Sequence, residues 1–322
     1  MLRTFAVQNG RLHTVKDDDS NAVIWADLLR PTKDEESQIE QWLGVDIPTL
    51  EDMEEIEISS RLYVEDGAHF MTATVPAFRD NEMPVMGPVT FVLAGQKLVT
   101  IRYHEPRAFG TFQSHAEKST LGCTSGGTVL LGLLDAIIDR LADILERASR
   151  EVEAVSKDIF NPTGKKASHR DQNFQRLLKE LGRKETLTSD IRDSLTSLQR
   201  LFAFLAHAIG KTKKDKTLAD RVRSLARDGS SLASHAEFLS QKITFLLDAT
   251  LGMIGIEQNN IIKVVSVATL VFLPPTLVAS IYGMNFTNMP ELSWVFGYPM
   301  AIGLMILFAV LPFMYFRGKG WL

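Results

Sequence analysis

The chain has 322 residues, 45% of them hydrophobic and 23% charged, and a net charge of -4 at pH 7. These averages are those of an ordinary globular protein and give no ground for a nucleic-acid partner. A single cysteine, Cys123, excludes an internal disulfide and a Cys-based metal site.

The averages hide a division. From Val264 onward the only formal charges are Glu291, Arg317 and Lys319, whereas before Gln258 charges recur every few residues. A charged body precedes an apolar tail. One cysteine fits a reducing compartment, and Met1–Gly10 lacks the apolar core of a signal peptide, so the body is expected in the cytoplasm.

Met1 to about Thr120 predicts a mixed α and β domain. Ala22–Leu28 is a short apolar run, expected as a buried strand. Thr32 and Glu35 have capping-box spacing and Gly44 supplies a stop, predicting a helix over Lys33–Leu43. Asp66-Gly67 lies between the strand-like runs Arg61–Glu65 and Ala68–Val75, the turn chemistry of a hairpin. A second hairpin is predicted from Val89–Leu93 through Ala94-Gly95 to Lys97–Tyr103, and Pro106 opens a helix that fades near Thr120.

After the Gly- and Ser-containing break at Leu121–Gly127 the strand signals vanish. Thr128–Phe160 and Gln172–Ile209 carry helical periodicity, divided by Asn161-Pro162 and followed by the basic run Lys211–Lys216, whose plainer reading is a solvated turn. From Thr217 nothing must stop a helix before Pro274, and the pattern extends to Tyr282. Such a helix is about 100 Å long, at about 1.5 Å per residue, and must emerge from any one globular domain.

Val264–Tyr282 and Val295–Phe316 are charge-free stretches of roughly 19 and roughly 22 residues, each long enough to cross a bilayer. Buried core helices are the alternative. The hairpin formed with the short link Asn285–Trp294 favours membrane spans. Lys263 precedes the first, Arg317 and Lys319 follow the second, and the link carries no Lys or Arg. The positive-inside rule then places both termini in the cytoplasm. Tyr282, Trp294, Tyr298 and Trp321 fall near the expected interfaces.

The polar side chains of the first span, Ser266, Thr269, Thr276 and Ser280, fall on one helical stripe, completed by Leu273 and extended inward by Ile262 and Asn259. That stripe faces water or other polar helices. Plain helix packing also uses Ser and Thr. Two spans cannot enclose a conduit, so a channel requires several copies around an axis. Pro274-Pro275 removes two backbone donors and serves either local shape or gating.

Beyond the stripe stand Tyr282-Gly283-Met284-Asn285-Phe286, then Met289-Pro290-Glu291-Leu292, Trp294 and Gly297-Tyr298-Pro299. This run at the junction of two C-terminal spans resembles the signature of the CorA family of divalent-cation channels. Ile256-Glu257-Gln258-Asn259-Asn260 and Phe272–Ala279 resemble it too. The strong resemblance covers about Phe245 to Leu322.

The resemblance implies an α+β cytoplasmic domain, long helices and a two-helix transmembrane hairpin, in a CorA-like funnel of five identical chains. Its expected divisions are 1–125, the α/β domain; 126–216, long cytoplasmic helices; 217–285, a stalk helix continuing into the pore; 286–294, an external loop; and 295–322, the second span and basic tail. It implies inward Mg²⁺ transport across the cell inner membrane, with Co²⁺ and Ni²⁺ as further cargo. Mg²⁺ also acts as regulator, with no organic cofactor and no enzymatic activity. On this resemblance Gly283, Met284 and Asn285 are expected to form the selectivity filter, with hydrated Mg²⁺ at Asn285. It implies pore-facing positions for Asn259, Ile262, Leu273 and Thr276, on the stripe that also holds Ser266, Thr269 and Ser280, and Glu291 is expected to attract cations. Regulatory carboxylates have no motif here; Asp80, Glu82, Asp220 and Asp228 are candidates. The partners are divalent cations, the bilayer and further copies of the chain.

A zinc transporter of the ZntB type is the nearest rival, although its signature lacks the Met-Pro-Glu-Leu continuation. A membrane-anchored signalling protein would leave the stripe and Asn285 without a role. A tethered enzyme is weakest, since His13, His69, His104, His115, His169, His207 and His235 form no cluster in the sequence.

Overall fold

The computed structural model describes residues 1–15, 22–77, 84–118, 122–160, 170–210, 216–285 and 289–321. It divides into two compact units, Met1–Lys165 with Gln175–Leu246, and Lys166–Phe174 with Leu247–Leu322.

The first unit holds a seven-stranded sheet in the order β2-β1-β3-β7-β6-β5-β4. Its strands are β1 (Leu2–Gln8), β2 (Arg11–Val15), β3 (Val23–Leu29), β4 (Leu62–Glu65), β5 (Ala68–Ala77), β6 (Val85–Ala94) and β7 (Lys97–Arg102). Neighbours pair antiparallel except β3 and β7, which run parallel with Trp25 opposite Leu98. The β4–β5 turn places Asp66 and Gly67 at φ +47° and +81°, as the Asp-Gly pair predicts. The β1–β2 hairpin has the same chemistry at Asn9-Gly10, with φ +52° and +74°. That hairpin lies outside the strands predicted from the sequence.

The helices α1 (Lys33–Leu43), α2 (Leu50–Glu54) and α3 (Ile58–Arg61) occupy the β3–β4 connection. Thr32 and Glu35 form the predicted capping box on α1, and Gly44 ends it at φ +82°. Thr49 and Asp52 form a second box on α2. Ile39 and Met53 pack with Leu28, Phe70, Val92 and Ile101 in one apolar core.

α4 (Arg107–Lys118) and α5 (Gly126–Phe160) follow the sheet. Trp25 stacks on Phe5 with ring centres 4.4 Å apart and meets Phe112 of α4 edge-on at 5.8 Å. α5 starts hard against the β6–β7 turn: the Gly126 N–H donates to the Gln96 carbonyl at 2.6 Å. A Cβ there would lie 2.6 Å from the Leu98 nitrogen, so only glycine allows this approach.

α6 (Arg170–Gly210) grips the part of β5 that β4 does not cover. Thr74 N–H donates to the Ser197 hydroxyl at 3.0 Å, and the Ser194 hydroxyl donates to the Thr74 carbonyl at 2.6 Å. Edge groups that water or another strand would otherwise take are thereby satisfied. α7 (Lys216–Tyr282) is one helix of 67 residues. A short 3-10 helix, Pro290–Ser293, and α8 (Gly297–Gly318) complete the second unit.

Candidate ion pathway

Among the described residues two helices, α7 and α8, are long and apolar enough to cross a membrane. α7 passes through Pro274 and Pro275 without ending. Each proline withholds the N–H that the carbonyl four residues earlier would accept, those of Leu270 and Val271. The Thr269 hydroxyl turns back to the Val265 carbonyl at 3.0 Å, and that of Thr276 to Phe272 at 2.7 Å. These bonds let a hydroxyl sit in apolar surroundings with its proton satisfied while its oxygen still accepts.

Within the second unit the chain covers one side of α7. Val267 is buried, and Val271, Pro274, Pro275, Val278 and Tyr282 are half-buried. Steps of four and three residues put them on a single face, nearly opposite the polar stripe. Along the stripe, Asn259, Thr269, Thr276 and Ser280 are exposed, Ile262 and Leu273 are 61% and 59% exposed, and Ser266 is half-buried. The chain therefore covers the Val267 side of α7 and leaves the polar stripe uncovered, together with apolar side chains such as Leu270, Phe272 and Leu277. α8 shows a matching covered face in buried Gly297 and Ala301 and half-buried Leu304, Met305 and Pro312.

α7 ends where the sequence signature begins. Gly283 N–H donates to the Ala279 carbonyl at 2.9 Å and Met284 N–H to Ile281 at 3.3 Å, so the chain leaves the helix tightly. Asn285 follows with its side chain exposed, three residues past the helix end at Tyr282. Residues 286–288 lie outside the described residues. Glu291 falls within the 3-10 helix Pro290–Ser293, which the Ser293 hydroxyl closes by donating to the Pro290 carbonyl at 2.9 Å. Trp294 and Phe296 meet edge-on at 6.0 Å, and Tyr298 is 78% exposed, so aromatic surface gathers at this end of the spans.

The candidate regulatory carboxylates separate. Asp80 and Glu82 lie outside the described residues. Asp220 accepts from Arg223 at 2.8 Å, one turn along α7. Asp228 comes near α5, where burial first, and then Asp135, Asp143 and Asp228, hold the Asp139 carboxyl above the usual carboxylate range. The α5 aspartates carried no signal in the sequence beyond their spacing of four, which is equally that of a solvated face. Among the described residues no three His, Cys, Asp or Glu side chains converge to hold a metal ion.

An apolar span at the C-terminal end of the long helix α7, bearing an uncovered polar stripe, and a second span in α8 define a membrane protein with two spans whose chain also carries an α/β domain. The model of the CorA-like Mg²⁺ transporter protein family matches residues 20–318, and the chain belongs to that family. The family is one of transporters rather than enzymes. The chain is 39% identical to the magnesium transport protein CorA of Haemophilus influenzae, with all of both chains aligned. Its fold matches the complete CorA structure from Methanocaldococcus jannaschii with a TM-score of 0.80 at 18% identity, covering 100% of this chain and 99% of that one. The ZntB cytoplasmic domain from Vibrio parahaemolyticus has a TM-score of 0.57 at 12% identity, covering 78% of this chain and 96% of that one, a likeness of fold alone.

Proposed function

We propose that this chain forms a homopentameric channel that admits Mg²⁺, and with it Co²⁺ and Ni²⁺, down the electrochemical gradient. The observation that carries this reading is the uncovered polar stripe of α7, which leads to the exposed amide of Asn285. A stripe on each of several helices around an axis makes a hydrated path, whereas a packing stripe has no need to end in a free amide. Five neutral amide oxygens accept hydrogen bonds from the water shell that Mg²⁺ is slow to shed. Carboxylates in that position would bind more tightly and release more slowly.

Gly283 and Met284 complete the filter, and Glu291 draws cations to the mouth through its field. Ile262, with Val265 beside it, forms a dry collar that shuts the pore by dewetting. Entry of a divalent ion gains about 4.6 kcal/mol per 100 mV, twice the single-charge value. Lys263, Arg317 and Lys319 support an orientation with both termini on the cytoplasmic side of the inner membrane. Cytoplasmic Mg²⁺ closes the pore through carboxylates of the cytoplasmic unit. The candidates are Asp80, Glu82, Asp220 and Asp228; of the two among the described residues, Asp228 is favoured because its charge reaches Asp139 on α5.

The test is ion flux into liposomes holding the purified chain, with Mg²⁺, Co²⁺, Ni²⁺ and Zn²⁺ compared, alongside native mass spectrometry of the assembly. The reading expects Mg²⁺ flux and five copies. Flux of Zn²⁺ alone would move the assignment to zinc transport, and a conducting monomer or dimer would refute the central pore.

A further inference from the structure

The second span ends in a built cap. Gly320 has φ +70°, a conformation that L side chains rarely adopt. Trp321 N–H donates to the Phe316 carbonyl at 3.1 Å and Gly320 N–H to the Arg317 carbonyl at 3.2 Å. These are the paired backbone bonds of a Schellman ending. Its apolar contact is present as well, with the Trp321 ring 5.3 Å from that of Phe316. Tyr315 meets Phe316 edge-on at 5.3 Å, and the Lys319 ammonium lies 5.2 Å from the Tyr315 ring centre. A seven-residue hook, Tyr315–Trp321, thus presents three aromatic rings and two cations.

The hook has features that a solvated tail does not need. Its backbone bonds occupy terminal carbonyls that Arg317 and Lys319 could otherwise have capped. No Asp or Glu occurs between Val295 and Trp321, and among the described residues neither cation enters an ion pair. Tyr315 is 57% and Trp321 39% exposed, so apolar ring surface stands beside unneutralised charge. At the end of a bilayer-spanning helix, the medium that suits both is the boundary between acyl chains and headgroups.

We propose that the Tyr315–Trp321 hook is a docking site for the phosphate of an anionic phospholipid. Trp321 and Tyr315 seat at the acyl boundary, while Lys319 and Arg317 donate to the phosphate. A free phosphate ion would meet the same cations but leave the rings in water, which is why the bilayer lipid is the occupant. Only the membrane placement of α8 is required, whatever ion the protein carries.

The experiment places the full chain in phosphatidylcholine nanodiscs containing brominated phosphatidylglycerol or brominated phosphatidylcholine. Emission of the Trp321→Phe variant is subtracted to isolate Trp321. Brominated phosphatidylglycerol should quench Trp321 more strongly than brominated phosphatidylcholine at equal content. Each cation contributes roughly fivefold to the preference, so Arg317→Gln or Lys319→Gln weakens it and the double variant removes it. Gly320→Ala, which strains the hook with both charges kept, should also weaken it. Equal quenching by the two lipids overturns the proposal. A preference that survives the double variant does so as well, and so does one undiminished by Gly320→Ala, since loose charges or generic interfacial burial would then suffice.

Discussion

Arg102 forks its guanidinium onto Asp27 deep inside the α/β domain, with Nε 3.0 Å from Oδ1 and Nη2 2.8 Å from Oδ2, and the side chains 6% and 1% exposed. The pair joins β7 to β3, the parallel junction whose register no tight turn can set. Thr100 donates to the same carboxylate at 2.8 Å, Trp25 donates to Thr100 at 3.0 Å, and the Arg102 Nη1 reaches the His104 carbonyl at 3.1 Å. The network is closed, so removing one member strands the others.

Arg102→Met is therefore expected to destabilise the protein by about 3–5 kcal/mol, because a carboxylate remains buried without its counter-charge. Chemical denaturation of the full chain in detergent, followed by near-UV circular dichroism, measures this. A loss below about 1 kcal/mol, the scale of an exposed pair, would show that the network contributes little.

Asp139 yields a pH dependence of definite sign. Burial and three neighbouring aspartates raise its folded carboxyl pKa, so the folded state binds that proton more tightly than the unfolded chain. Below the unfolded value of about 3.9 the penalty is absent; it grows as pH rises to the folded value and is complete above it. Asp139→Asn should raise the melting temperature at pH 7, with the advantage shrinking as pH falls toward 4. An advantage independent of pH would mean that packing, not charge, is responsible.

For the proposed filter, Asn285→Ala should abolish selective Mg²⁺ uptake while expression and assembly persist. The amide is exposed, so the substitution empties no packed site among the described residues, and assembly and transport can be scored separately. Wild-type uptake by the mutant would remove Asn285 from the filter.

Ile262 bears on the proposed gate. At 61% exposure its side chain is uncovered by its own chain, and a ring of such side chains would exclude a hydrated ion. Ile262→Ser should raise Mg²⁺ leak into liposomes when internal Mg²⁺ is high. A correctly assembled mutant that stays shut would place the gate elsewhere on α7.

Local chemistry alone determined much of this protein. The α1 capping box, the Asp66-Gly67 turn, the long helices and both spans follow from contacts within a few residues, and each is legible in the chain. The Asn9-Gly10 hairpin was equally legible, because the pair that sets both φ values is printed in the sequence. Gly320 gave a comparable signal for the hook, but one glycine among 21 does not say that a ring will fold back to complete it. Tertiary structure alone decided the β3–β7 pairing, the grip of Ser194 and Ser197 on Thr74, and the approach of Asp228 to Asp139. It also decided that the chain covers the Val267 side of α7 and leaves the Asn259–Ser280 stripe open. The periodicity of α7 defines its faces, but which one is covered depends on residues far away along the chain, whose contacts no local pattern encodes.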